Sequence, residues 1–258
     1  MSALTIQPNY RDNSLVFTTS SALKLRQMCD FLGKCSQIIT WSVTNYILTG
    51  TITDEDICDR IVVGSFTFDC EDRVLYGQPH PPICFTGASA KTISDALSNM
   101  GKMDSVIFKI NITGCNLSIT KCQKNKEHTN VIGITILESS HQPINLVHVA
   151  KAHIISGNCF STMCREIKAT HCITVSTVAD VPEILFTSPV SRVVFKDTQN
   201  NESENICVET KSGLLIPWKK TISQTANVEI SLSTINMCIF SKGDGWEMKM
   251  CCRILNEE

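Results

Sequence analysis

Apolar residues recur at helical spacing in four segments of the chain, set in a background of residues typical of strands. Three segments place apolar side chains at i, i+3, i+4 and i+7, which is the spacing of one helix face. They are residues 20–34, 88–102 and 157–171, whose stripes begin at Leu25, Ile93 and Phe160. The fourth segment, 231–243, fits less well because Asn236 occupies a stripe position. We predict a helix in each segment.

Residues suited to the ends of helices flank these segments. Serine and asparagine cap helix N-termini, and glycine commonly follows the C-terminus. The candidate N-caps are Ser20 or Ser21, Ser89, and Ser156 or Asn158, and the candidate ends are Gly33, Gly101 and Gly243.

β-branched and aromatic residues in alternation predict strands between the helices, for example at 41–49 and 106–112. Each predicted helix is followed by a predicted strand, at 38–43, 105–112, 172–178 and 246–254. A β-α-β unit is therefore used four times. The first and third helices, and the second and fourth, are separated by similar lengths of chain, which indicates an α+β protein of two similar domains.

The boundary between the two halves is best placed at an extended stretch that contains a polar middle and one proline. This stretch is 134–146, and an ordinary surface loop would have the same composition. We predict an N-terminal domain at 1–133, an interdomain connector at 134–146 and a C-terminal domain at 147–258.

The composition is typical of a folded globular protein. Hydrophobic residues are 43% of the 258 residues and charged residues only 19%, which excludes a disordered chain. The 23 lysines and arginines against 25 acidic residues give a net charge of -2, which excludes a wholly basic nucleic-acid coat. Any electropositive surface must be local.

Fourteen cysteines and three sequons, at Asn111, Asn116 and Asn201, would suit a secreted disulfide scaffold. The N-terminus has no basic region followed by an apolar one, and no apolar run is long enough to span a membrane. We therefore expect a soluble, unexported protein. Cys29, Cys164 and Cys172 lie at core positions of predicted helices and strands, which favours reduced, buried thiols.

No catalytic or metal-binding motif stands out. The sequence has no phosphate-binding glycine loop, no nucleophile elbow and no pair of cysteines at zinc-ligand spacing. His171 and Cys172 are adjacent, so in a strand they point to opposite faces and cannot act as base and nucleophile. We expect no enzymatic activity, no metal and no cofactor.

Basic residues recur on the polar sides of the predicted helices. A single exposed lysine is ordinary, but repetition over four similar helices indicates one surface that could follow phosphates without reading bases. Asp30, Asp95 and Glu166 share parts of these faces and oppose that surface charge. The candidate DNA-binding residues are Lys24, Arg26, Lys34, Lys91, Lys102, Arg165, Lys168 and Lys242.

Three runs carry a resemblance to a known family. SGNCFSTMCREI (156–167), AKTISDALSNMGKMDSVI (90–107) and the acidic C-terminus CRILNEE (252–258), with the two-half plan, resemble DNA sliding clamps of the proliferating cell nuclear antigen type. The resemblance implies a DNA clamp fold, with antiparallel sheets outside and helices on one face. After the fourth predicted helix, only 246–254 remains where the family has several strands, so we expect a curtailed last unit that puts a trimer in doubt.

The resemblance implies a function. It is that of a DNA polymerase processivity factor, viral or nuclear, which tethers replication or repair proteins to double-stranded DNA by sequence-independent electrostatic contacts. Such a protein is a homo- or hetero-oligomer without catalytic activity or membrane contact. A polymerase peptide would dock on the connector through Ile134, Ile136, Leu137, Pro143 and Ile144.

Two alternatives remain open from the residues. One is a checkpoint-clamp subunit, which would share the fold and need foreign partners. The other is a secreted, disulfide-bonded, β-rich module that binds protein, and it predicts oxidised cysteines and occupied sequons.

Overall fold

The protein consists of short helices packed on antiparallel sheets. The computed structural model describes residues 14–44, 47–54, 60–67, 82–101, 104–137, 152–167, 172–196, 204–220, 226–233 and 236–253. Its helices are α1 (Ala22–Cys35), α2 (Ala90–Ala96) and α3 (Gly157–Glu166), and two consecutive 3₁₀ helices, Ser212–Leu214 and Ile216–Lys220, form what we call the 3₁₀ pair.

Seventeen strands, numbered along the chain, form three sheets in the described residues, and every strand pairing is antiparallel. The first sheet has the order β1 (Ser14–Thr19), β6 (Ser105–Asn111), β7 (Asn116–Gln123), β8 (Lys126–Gly133). The central sheet has the order β10 (His153–Ser156), β15 (Asn227–Leu232), β16 (Asn236–Gly243), β17 (Trp246–Arg253), β4 (Arg60–Thr67), β3 (Ile47–Asp54), β2 (Thr40–Thr44), β5 (Ile83–Thr86), β9 (Thr135–Leu137). The third sheet has the order β13 (Arg192–Lys196), β12 (Glu183–Thr187), β11 (Cys172–Thr177), β14 (Ile206–Lys211).

The first three predicted helices are confirmed, and their apolar stripes are buried. Leu25, Ile93 and Phe160 are fully buried in one core cluster. Ser89 caps α2, because its Oγ accepts a hydrogen bond of 3.0 Å from the backbone N–H of Thr92. Helix α1 continues beyond Gly33, the end predicted for it, and stops at Cys35.

Glycines let the helices approach their neighbours closely. A Cβ on Gly50 of β3 would lie 2.6 Å from Cδ1 of Leu32, and one on Gly64 of β4 would lie 2.9 Å from Cγ of Met28. Only glycine therefore lets α1 rest on these strands at its observed distance.

The prediction of a fourth helix at 231–243 is wrong. This segment contains the end of β15 and the whole of β16, which pairs residue by residue with β17. Met237 and Ile239 are buried in strand alternation, and a short apolar run of this kind satisfies a period of 2 as well as one of 3.6.

The 3₁₀ pair takes the place of the fourth helix, between β14 and β15. Its sequence SGLLIPWKK contains Gly213 and Pro217, which both disfavour an α-helix interior. Three strands, β15 to β17, follow it. The expected shortage of strands after the fourth helical position is therefore wrong.

The long strand predicted at 41–49 is also corrected. It is a hairpin in which β2 and β3 pair antiparallel, with Thr44 opposite Ile47. A period-two pattern does not reveal that the chain reverses direction when the residues at the turn are themselves compatible with a strand. The strands predicted at 38–43, 105–112, 172–178 and 246–254 agree with β2, β6, β11 and β17.

The two halves of the chain meet in the central sheet and in the helix packing. Strand β17 pairs with β4, and Phe31 of α1 contacts Trp218 of the 3₁₀ pair. The predicted connector, 134–146, includes β9, which pairs with β5, and its residues 138–146 lie outside the described residues. The proposed domain boundaries stay a prediction.

The expectation that the cysteines are reduced and buried is only partly met. Cys238 of β16 and Cys251 of β17 form a disulfide. Cys172 is exposed rather than buried, because it begins β11 opposite the exposed Lys211, beyond the core. Cys29 and Cys164 are free and buried as predicted.

Candidate nucleic-acid interface

The helices form one continuous layer on the sheets. Helix α1 packs on strands β3, β4 and β17 of the central sheet and also contacts α2 and the 3₁₀ pair. Helix α3 packs on the other side of the 3₁₀ pair and on β10 and β15. We call α1, α2, α3 and the 3₁₀ pair the helix layer, and its cations define the candidate interface.

The three cations of α1 differ in their exposure and in the groups that they contact. Lys24 is half-buried and forms an ion pair of 3.0 Å with Asp244, in the turn between β16 and β17. Lys34 is exposed in the last turn of α1. Arg26 is half-buried, and its buried Nε has no hydrogen-bond partner among the described atoms.

The other helices each contribute an exposed cation. Lys91 lies in the first turn of α2, and Arg165 lies in the last turn of α3. The Nε of Arg165 donates a hydrogen bond of 3.2 Å to the carbonyl of Lys219. The predicted residues Lys102 and Lys168 lie outside the described residues.

The sequence analysis missed Lys219, a further cation of the helix layer. Its Nζ donates a hydrogen bond of 3.2 Å to the carbonyl of Ile167, the C-cap of α3, where a cation opposes the negative end of the helix. The signal that could have found it is the basic pair Lys219-Lys220, which follows an apolar run and precedes the last three strands.

Lys242 does not lie on a helix, which corrects the prediction. It lies near the end of β16, where Ile239 and Ser241 are buried and face the core. Successive side chains of a strand point to opposite faces, so Lys242 points away from the helix layer. Its Nζ lies 6.0 Å from the ring centroid of Phe240 on that outer face.

Carboxylates lie among the cations of the helix layer. Asp95 of α2 and Glu166 of α3 are exposed, as is Asp30 of α1. Asp30 accepts a hydrogen bond of 2.5 Å from the Oγ of Ser94, which ties α1 to α2. The helix layer therefore carries charges of both signs, as the sequence indicated.

The described part of the connector contributes little exposed apolar surface. Ile134 is 6% exposed and belongs to the core, and Ile136 is half-buried against it. Leu137 lies opposite Cys84 and is half-buried. Pro143 and Ile144 lie outside the described residues, so the docking role of this segment stays a prediction.

Two outer edges of the sheets carry exposed valines. Strand β8 ends the first sheet and β13 ends the third, and no described strand pairs with their outer sides. Val131 of β8 is 66% exposed and Val194 of β13 is 44% exposed. Apolar side chains on unpaired edges favour pairing with another chain.

The thiols of Cys29 and Cys164, which are buried in the core, are not activated as nucleophiles. Burial raises the pKa of the Cys164 thiol to about 12, and burial also raises the pKa of Cys29, so both stay protonated at neutral pH. No group of three or more metal-ligating side chains comes together in the described ranges. No described helix is long and apolar enough to cross a membrane.

Solved structures of similar fold cover almost the whole chain. A proliferating cellular nuclear antigen from Entamoeba histolytica has a TM-score of 0.74 and 12% identity, over 93% of this chain and 98% of that one. A chain of the PCNA2–PCNA3 complex from Sulfolobus tokodaii has a TM-score of 0.70 and 13% identity, over 94% and 100%. No protein-family model matches the sequence, and no curated protein does.

The class of fold is therefore that of the α+β DNA clamps, with antiparallel sheets and one layer of short helices. More particularly, it is the sliding-clamp fold of the proliferating cell nuclear antigen type. At 12–13% identity the likeness concerns the fold.

Proposed function

We propose that the protein is a sliding-clamp-like processivity factor, which tethers DNA polymerase or other replication and repair proteins to double-stranded DNA. The observation that carries this proposal is the clamp fold, together with cations on a single helix layer. Lys34, Lys91 and Arg165 are exposed on the three α-helices of that layer. The same layer is the only continuous helical surface among the described residues.

The mechanism follows from the chemistry of these side chains. Lysine and arginine attract phosphates without reading base edges, so the contact does not depend on DNA sequence. Asp30, Asp95 and Glu166 lower the attraction, which leaves the contacts weak enough to be exchanged as the protein slides. Retention on DNA then comes from encirclement by an oligomer and not from a single tight site.

The free edges supply the means of assembly. Strand β8 at one end and β13 at the other could pair between subunits and bring Val131 and Val194 into an apolar contact. Because the two edges are different surfaces, such a contact is head-to-tail. It closes into a ring when the rotation from one subunit to the next divides a full turn into a whole number of steps. The assembly could be a homo-oligomer, or a hetero-oligomer with related chains.

A role in the nucleus, with partners bound at the connector, belongs to the same proposal. The described connector residues Ile136 and Leu137 lie on β9, at the edge of the central sheet, where an extended peptide could add main-chain hydrogen bonds.

The Cys238–Cys251 disulfide favours the secreted module as a second candidate. The four buried free cysteines, Cys29, Cys84, Cys164 and Cys252, favour the clamp.

The test is to measure the native mass of the protein and its retention on primed circular DNA, before and after the circle is linearised. A clamp gives a defined oligomer that stays on closed circles and is lost from linear DNA. A monomer whose affinity falls steeply with salt indicates an open processivity factor. No association with DNA at low salt would refute the proposal, and occupied sequons would favour the secreted module.

A further inference from the structure

A basic hairpin beside the helix layer has no counterpart in the sequence-predicted interface. The hairpin joins β7 to β8, and it carries Lys121, Lys124 and Lys126 within six residues. Lys124 lies in the turn, and Lys126 begins β8 opposite Gln123.

The pairing register decides which way these side chains point. Ile119 of β7 is fully buried, so Lys121 and Gln123 lie on the same, helix-facing side of the strand. Lys126 lies opposite Gln123 and shares that side. Glu127 lies opposite Cys122, on the other face, where burial and the charge of Glu127 raise the pKa of the Cys122 thiol.

Two hydrogen bonds hold the hairpin against the end of α2. The Nζ of Lys121 donates to the carbonyl of Ser98 at 3.2 Å, and the side-chain amide of Gln123 donates to the carbonyl of Asn99 at 3.2 Å. The same amide donates to Asp104 at 3.1 Å, and the backbone N–H of Gly101 donates to that carboxylate at 2.7 Å. Lys121 therefore positions the hairpin, and the turn projects beside the helix layer.

The charges of Lys124 and Lys126 are not neutralised within the described structure. Both side chains are exposed, and neither has an ion pair with a described residue. In the helix layer, by contrast, Lys24 forms an ion pair with Asp244. The hairpin thus offers two unneutralised cations on the side from which the helix layer would meet DNA.

We infer that the β7–β8 hairpin is a second phosphate-binding element, in which Lys124 and Lys126 contact the backbone of the same duplex as the helix layer. This inference rests on the proposed function. A flexible lysine acts as a point charge that needs no fixed geometry, so it suits a contact that must be exchanged during sliding. Lys121 is a positioning residue, because its ammonium group donates a hydrogen bond to the carbonyl of Ser98 at the end of α2.

The experiment measures binding of the full chain to a short blunt duplex at several salt concentrations, by fluorescence anisotropy. For Lys124→Gln/Lys126→Gln we expect the slope of log affinity against log salt to fall in magnitude by about 1 to 2, since each phosphate contact contributes about 0.9. The matched control is Lys211→Gln/Lys242→Gln, which removes two exposed lysines from sheet faces opposite the helix layer. Its slope should equal that of the wild type.

The outcomes separate this inference from the proposed function. The inference is overturned if Lys91→Gln lowers the slope of log affinity against log salt but the hairpin variant keeps the wild-type slope. The helix layer alone would then contact the DNA. An equal fall in slope for the control variant also overturns it, because the effect would then follow net charge. If the wild type shows no salt-dependent binding, the proposed function fails as well. Unchanged thermal melting of the variants verifies that they are folded.

Discussion

The ring of Phe31 in α1 lies 4.7 Å from the ring of Trp218 in the 3₁₀ pair, centroid to centroid, with the planes tilted by 60°. Phe31 belongs to the first half of the chain and Trp218 to the second. Trp218 also meets Phe160 of α3 edge-on, at 6.4 Å. One fully buried side chain therefore links the helices of both halves.

We expect Trp218→Ala to lower the free energy of unfolding by about 3–5 kcal/mol, because it leaves a large cavity between the halves. Trp218→Phe should cost less, since the indole N–H that it removes has no hydrogen-bond partner in the described structure. Denaturant unfolding measures both. A double-mutant cycle with Phe31→Leu should give a coupling of about 0.5–1.5 kcal/mol, and zero coupling would contradict the ring contact.

Arg60 stabilises the C-terminus of α1. Its side chain is 2% exposed, and its Nη2 donates a hydrogen bond of 2.9 Å to the carbonyl of Cys35, the last residue of the helix. We expect Arg60→Met to lower the free energy of unfolding by about 1.5–3 kcal/mol, the range for a hydrogen bond to a charged group. Arg192→Met, at an exposed position, is the control and should change stability by less than about 0.5 kcal/mol.

The disulfide between Cys238 and Cys251 should stabilise the β16–β17 hairpin. It closes a loop with a sequence separation of 13, for which restriction of the unfolded chain contributes about 3 kcal/mol. Mild reduction should therefore lower the melting temperature of the wild type. The double variant Cys238→Ser/Cys251→Ser should melt at the lower temperature with or without reductant. A wild type that melts identically in both conditions would contradict a stabilising disulfide.

Thiol labelling should follow burial. Cys115, Cys159, Cys172 and Cys207 are exposed and free, so a brief alkylation at neutral pH should modify them. Cys29 and Cys164 should stay unmodified, because burial raises the pKa of each thiol and the reactive species is the thiolate. Mass spectrometry of the digest identifies the modified sites. In denaturant all of these cysteines should react, and early labelling of Cys29 in the native protein would contradict the packing of α1.

The edge strand β8 offers a direct test of assembly. We expect Val131→Lys to shift the protein towards smaller species in light scattering, because a charge replaces an apolar contact at an edge that would otherwise pair. Val178→Lys changes a valine that is 56% exposed outside the edge strands, and it should leave the native mass unchanged. An unchanged mass for Val131→Lys would exclude β8 as a subunit contact.

The sequence by itself determined the elements whose periodicity is long and regular. The stripes at Leu25, Ile93 and Phe160 predicted three helices, and Ser89 predicted a cap, because these depend on neighbours within one turn. The two-half plan and the resemblance of 156–167 to a clamp helix predicted the fold. Exposed cations such as Lys91 and Arg165 followed from the same helical phase.

Only the tertiary structure decided where short apolar runs belong. The segment at 236–243 is a strand because β17 supplies its hydrogen bonds, and this pairing places Lys242 on the outer face and joins Cys238 to Cys251. The 3₁₀ pair is held by packing of Trp218 between α1 and α3, against the weak helix propensity of Gly213 and Pro217. In both segments, contacts between residues far apart in the chain outweigh the local secondary-structure propensity. The periodicity of the sequence contains no information on such contacts.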